Sequence, residues 1–293
     1  MIRKPNATDH LLLAAIVLMF SQSFVSLRIV VPELGTLWTI TIRVSIALVV
    51  LLPWAVWRGF EWPKGTRNWS LVIALSVLNV VLPFSLFTWA IKYLAAGQAA
   101  LIFGAIPLLG LTVSHFTTSD DRFTIFKFAG VCLGLTGIGT LFGVEVVEGS
   151  LQTLMAYSAM LLTAFSYALS GGIIRKLADH PPVRLITLIY MFALPVFLLF
   201  TFLSGEPRPQ QVSTWALGNL IFLGLFPSGL AYILRFKLIP IIGLSYYSLA
   251  MNFLPVTGVV FGALILSEPI TIPMVAALLL ILAGLLTSRI KAR

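Results

Sequence analysis

The sequence predicts an all-α polytopic membrane protein, with ten transmembrane helices in two inverted five-helix repeats and both termini on the cytoplasmic side. Three observations carry that expectation. Of the 293 residues, 59% are hydrophobic and 10% charged, and the mean hydropathy is +1.03; a soluble globule of this length needs far more polar surface. Apolar windows of spanning length, about 20 residues, can be laid down ten times between short charged or Pro/Gly-rich connectors. Prolines interrupt these windows at matching places in the two halves.

The windows follow in order. Residues 10–30 come after Arg3 and Lys4 and lack a small-residue cleavage site, so they read as a retained first helix. Residues 36–57 end at Trp57 and Arg58, and a connector with Trp62, Lys64 and Arg67 leads to 69–91. Gly97 opens 97–118, and 124–143 follows Arg122. In the second half, 151–174 ends at Arg175 and Lys176, 184–204 starts at Arg184, and 214–234 ends at Arg235. Gly243 opens 243–266, and 272–289 closes the chain before its last basic residues. The short alternating segments of an outer-membrane barrel are not the pattern here.

The formal charge of +9 does not signal nucleic-acid binding, because the basic residues sit at helix ends and form no stripe. They report topology. With a cytoplasmic N-terminus, 15 of the 19 Lys and Arg, Arg235 among them, fall inside, and only Arg28, Arg43, Lys92 and Arg208 fall outside. Arg43, the one cation deep in a window, is expected to snorkel outward. The seven tryptophans sit at or within a turn of predicted ends, as interfacial anchors do. A single cysteine, Cys132, leaves no intrachain disulfide and no cysteine metal site. The longest connectors, near 58–68 and 204–213, are too short to hold a soluble domain.

Ten helices split five and five, and an odd number per repeat forces the second copy to be inverted. The expected units are residues 1–148 and 149–293. Ordered correspondences support them: Phe20-Ser21 with Phe165-Ser166, Pro53 with Pro195, Pro83 with Pro227, Lys92 with Lys237, Gly97 with Gly243, Pro107 with Pro255, and Asp120 with Glu268. A proline inside a membrane helix removes a backbone hydrogen bond and bends the helix. Paired interruptions are the best sequence pointer to a central site, so Pro83, Pro107, Pro227 and Pro255 are the candidate gating positions.

With these features in place, the chain resembles the EamA-type members of the drug/metabolite transporter superfamily. The likeness rests on the two five-helix halves, the hairpins ending in a proline-bearing helix, and the closing "LSEPITIPMVAALLLILAGLLTSR". Within that group it is most similar to bacterial exporters of amino acids, including aromatic ones. The first half departs from the pattern, with Asp120 and Asp121 where one glutamate is usual.

Polar residues in mid-membrane are expensive unless they meet a cavity or a partner helix. Gln22 and Ser26 share one helical face; so do Ser76, Asn79 and Pro83; so do Thr163, Ser166, Tyr167 and Ser170; and so do Ser245, Ser248, Asn252 and Pro255. The candidate substrate-binding set is Gln22, Ser26, Asn79, Tyr157, Ser166, Tyr232, Tyr246, Ser248 and Asn252. Asn79 and Asn252 lead it, because a buried amide has donors and an acceptor to satisfy; serines alone read equally well as bonding back to their own helices.

No Asp or Glu falls in mid-window, which argues for facilitated diffusion or exchange over proton antiport, and against a strongly cationic substrate. His10, His115 and His180 lie at ends or in connectors and assemble no catalytic constellation, so neither an enzyme nor a metal or cofactor is expected. The expected protein is a monomeric, multi-pass carrier of the bacterial inner membrane, exporting small amphiphiles such as neutral or aromatic amino acids. A multidrug or proton-coupled exporter of the same fold is the alternative.

Overall fold

The computed structural model describes residues 3–110, 125–148, 150–177 and 179–288, apart from the side chains of 142–148, 175, 244, 245, 248 and 249. The features at His115, Asp120 and Asp121, and the side chain of Ser248, lie outside the described residues. The regular structure is helical: α1 Ala7–Leu34, α2 Thr36–Trp57, α3 Thr66–Ala90, α4 Ala96–Gly110, α5 Ile125–Glu148, α6 Leu151–Lys176, α7 Pro182–Leu203 and α8 Thr214–Ile242. Next come α9, in two pieces Leu244–Met251 and Leu254–Leu266, and α10 Ile272–Thr287. No strand occurs among the described residues. Six helices (α1, α2, α3, α6, α7 and α8) are long and apolar enough to cross a membrane; among the described residues the other apolar stretches, Ala96–Gly110, Ile125–Leu141, Leu254–Leu266 and Ile272–Thr287, are shorter. Large side chains such as Leu199, Phe200, Phe202 and Leu264 are exposed on the outer faces, where water would penalise them and lipid does not.

The helices pair across the two halves. Equivalent helices lie side by side and antiparallel. In α2 against α7, the Thr41 and Thr201 hydroxyls meet at 2.8 Å near one end, and Thr187 donates to the Leu51 carbonyl at the other. In α5 against α10, Gly130 faces Gly284 and Gly137 faces Ala277; in α4 against α9, Ala100 faces Gly258 and Gly104 faces Pro255. The remaining contacts swap partners: α1 packs on α8, and α3 packs on α6. These pairings are the ones a two-fold relation between the halves requires.

Two boundaries differ from the sequence reading in ways that matter. Helix α8 does not stop at residue 234 but runs to Ile242, so Arg235 lies inside a helix and is 7% exposed. It is therefore no topology marker in a connector. The expected basic connector of the second half shrinks to Gly243, whose φ of 85° suits a residue without a Cβ. The ninth window breaks at Asn252-Phe253, two residues before Pro255, much as α4 breaks at Gly104, three before Pro107.

Three helix starts are held from the opposite half. At one end of the bundle, the Glu206 carboxylate accepts from Thr36 N and Leu37 N, both at 2.8 Å, and holds the start of α2. Gly35 is needed there, since a Cβ on it would meet Glu206 Oε1 at 2.5 Å. Glu268 does the same for α4 through Ala96 N at 2.8 Å and Gly97 N at 3.1 Å, and Glu33 accepts from Ser213 N at 2.7 Å, one residue before α8. Negative charge at a helix start meets both the orphan amides and the helix dipole.

Glycines let α5 and α10 approach closely: a Cβ on Gly284 would collide with the Gly130 carbonyl, and one on Gly130 with the Gly284 carbonyl. Gly284→Val is expected to destabilise the protein by about 1–3 kcal/mol, lowering its melting temperature in detergent. Gly139→Ala, which adds a methyl to open space, is expected to leave the melting temperature unchanged.

Candidate functional site

The site begins with two prolines. Pro83 has no N–H, so the carbonyl four residues back, that of Asn79, loses its helical donor. The chain widens there into a π turn over Val77–Val81, closed by Leu82 N donating to Val77 O. Pro227 does the same to the Leu223 carbonyl, and a second π turn covers Phe226–Leu230. Such bulges leave carbonyls facing sideways, and in a membrane each must find a donor.

Tyrosine and serine hydroxyls meet them. Tyr232 donates to Asn79 O at 2.9 Å, and Ser166 donates to Leu78 O at 2.7 Å. Around the second turn, Ser228 Oγ donates to Leu223 O at 2.7 Å, while Tyr190 donates to Ser228 O at 2.5 Å. The first turn is thus satisfied from α6 and α8, the second from α7 and from itself. Tyr157, Tyr190 and Tyr232 are among the largest fully buried side chains of the protein.

Tyr232 also lines a cavity of about 60 Å³, walled by both halves. Phe20 and Phe24 come from α1, Phe87 from α3, Phe103 from α4, Tyr167 from α6, Tyr232 from α8, and Tyr247 and Met251 from α9. Phe24 packs on Phe87 and Phe103 with ring centroids 5.0 and 5.1 Å apart, and Phe20 meets Tyr232 edge-on at 6.0 Å. Two cations complete the wall, Arg43 and Arg235.

Arg43 corrects the sequence expectation of snorkelling. Its side chain points inward from α2 and is 3% exposed; Nε donates to Ser228 Oγ at 2.5 Å, and the guanidinium stacks 4.0 Å from the Phe84 ring centre. Nη1 is buried without a hydrogen-bond partner. Arg235 donates from Nη1 to Asn79 Oδ1 at 3.1 Å and sits 5.5 to 6.0 Å from the rings of Tyr167, Tyr232 and Tyr247. Neither has a carboxylate within ion-pair distance among the described residues, whose ion pairs are Arg3–Asp9 and Arg184–Glu61.

The nine candidate residues scatter around this geometry. Tyr232 lines the cavity. Asn79 is fully buried and reaches the cavity through Arg235. Ser166 serves the Leu78 carbonyl, and Ser26 donates to Asn219 Oδ1 at 2.8 Å. Asn252 is buried in the break of α9 beside Met251, Tyr157 is fully buried, and Gln22 is half-buried outside the cavity lining. Tyr246 lies near the N-terminal end of α1, with its hydroxyl 3.4 Å from His10 Nδ1. Arg235 is the residue the sequence reading missed. The signal for it was present: Ser228, Tyr232 and Arg235 fall at i, i+4 and i+7 on one face of α8.

The model of the EamA-like transporter family matches twice, at residues 8–143 and 154–289. The uncharacterized transporter YoaV of Bacillus subtilis is 22% identical, covering 92% of this chain and 93% of its own. An uncharacterized transporter of Archaeoglobus fulgidus is 25% identical over 90% and 91% of the two chains. One crystal structure superposes with a TM-score of 0.67 at 18% identity, covering 97% of this chain and 98% of its own, a likeness of fold.

Removing the Tyr232 hydroxyl strands the Asn79 carbonyl. Tyr232→Phe is expected to cost about 1–3 kcal/mol, read as a lower melting temperature in detergent. Tyr93→Phe, at an exposed ring packed on Trp89, is expected to change nothing.

Proposed function

Since the chain belongs to the EamA-like transporter family, we propose that it is a secondary exporter of small amphiphilic metabolites, a class that includes the neutral and aromatic amino acids, working across the bacterial inner membrane. The observation that carries this reading is an aromatic cavity walled by both halves, whose Tyr232 and Arg235 bond to Asn79 in the π turn of α3. In this reading ten spans, with cytoplasmic termini, form two inverted five-helix units, 1–148 and 149–293. The hairpins α3–α4 and α8–α9 rock about Pro83, Pro107, Pro227 and Pro255, opening the cavity to one side and then the other.

Aromatic walls suit an apolar body, and the polar groups at the cavity suit a charged or hydroxylated head. Asn79, Asn252 and Tyr232 are the first residues to test, with Gln22, Ser26, Tyr157, Ser166, Tyr246 and Ser248 behind them. The acidic side chains described are held at helix starts, in ion pairs or on the surface, so transport needs no coupling carboxylate and runs as facilitated diffusion or exchange.

Counterflow in proteoliposomes tests this. Vesicles loaded with unlabelled solutes, one at a time, are expected to accumulate labelled phenylalanine for a few amphiphilic ones, with or without a pH gradient. Asn79→Ala removes an acceptor from Arg235 and is expected to slow uptake about tenfold. A signal that requires the pH gradient points to the proton-coupled alternative, and no stimulation by any solute overturns the proposal.

A further inference from the structure

Two buried cations face one small cavity, and no described carboxylate answers them. An unpaired buried charge is among the costliest features a fold can carry, and a cavity that holds two is preset for negative charge. Hydrogen bonds account for only part of each guanidinium. Arg43 makes one hydrogen bond, through Nε to Ser228, and leaves Nη1 buried and unpartnered. Arg235 places its two Nη atoms on Asn79 and Ser170, at 3.1 and 3.4 Å, and leaves Nε without a partner. All of these partners are neutral.

We infer that the cavity binds its substrate as a net anion, a small organic carboxylate with an apolar or aromatic body, held between Arg43 and Arg235. This rests on the reading of the cavity as the transport site and, within the small amphiphiles, ranks anionic solutes first, with zwitterions such as phenylalanine as the slower ones. A planar carboxylate presents two oxygens to guanidinium donors and answers their charge. The rest of the wall, Phe20, Phe24, Phe87 and Phe103 with the hydroxyls of Ser23, Tyr167, Tyr232 and Tyr247, offers an ammonium group only neutral oxygens and ring faces, and no carboxylate. A zwitterion would therefore bring its positive end toward two fixed positive charges, and a simple amine would bring nothing else. An anion leaving alone also carries charge across the bilayer, so an inside-negative potential drives it outward without a coupling proton.

One carbon skeleton separates the cases. Proteoliposomes of the intact protein are loaded with 3-phenylpropionate, phenylalanine or 3-phenylpropylamine, and exchange of each labelled solute is followed, with protein-free vesicles subtracting leak of the uncharged forms. The expected result is exchange of the carboxylate about tenfold or more above the other two, with net efflux accelerated by an inside-negative potential set with potassium and valinomycin. Arg43→Gln and Arg235→Gln should each abolish carboxylate exchange, while Arg43→Lys and Arg235→Lys should keep part of it. Because the Gln variants can lose fold, melting temperature is read in parallel: 3-phenylpropionate should stabilise the wild type and both Lys variants, and should not stabilise a folded Gln variant. Preference for phenylalanine or the amine, or undiminished carboxylate exchange in folded Gln variants, overturns the anion assignment and leaves the transporter reading standing. Exchange of none of the three solutes counts against both.

Discussion

The structure depends on one requirement: a backbone carbonyl inside a membrane must be given a donor by the protein itself. Pro83 and Pro227 each take a donor away, and the rest of the centre follows from replacing it. The helices widen into π turns, and their carbonyls turn toward neighbours. Tyr232, Tyr190, Ser166 and Ser228 supply the missing hydrogens. Tyr232, which reaches across to do this, is also part of the aromatic wall. The cavity and the repair of the broken helices are thus one construction, and Ser228, which bonds to Leu223 O while accepting from Arg43, belongs to both.

Charge is sorted by the same logic. Carboxylates find their best partners at helix starts, where unpaired amides and the positive end of the dipole coincide, and Glu206 and Glu268 are placed there. That leaves them at the ends of the bundle. Guanidinium groups are satisfied differently, by carbonyl-type oxygens, hydroxyls and ring faces, and Asn79, Ser228, Phe84 and Tyr167 provide these in the interior. The interior is therefore positive and the ends hold the negative groups, without any ion pair between the two regions among the described residues.

Much of the fold was legible in the sequence because membranes impose one-dimensional rules. Apolar windows and the prolines of α3 and α8 each have a local cause, and each reappears, as a helix or as a widened turn. The site was less legible. A cation near the end of a hydrophobic window reads as an interface marker, and Arg235 reads as one because Lys237 and Gly243 follow it closely, although α8 continues for two more turns. Arg43 presents the reverse difficulty: its long side chain can point either way from α2, and only the position of Ser228 and Phe84, far off in sequence, decides that it turns inward. Serines were ambiguous for the stated reason. Ser26 and Ser166 are bound to polar groups on other helices, which a single-helix face cannot show.

The cross-half bonds also bear on how the chain is made. The carbonyls of Leu78 and Asn79 enter the bilayer when α3 does, yet their donors lie 88 and 153 residues downstream. Synthesis runs from the N-terminus, so the first half must wait at the translocon, or be held by water or another protein, until α6 and α8 arrive. The nascent first half is an intermediate that cannot complete itself.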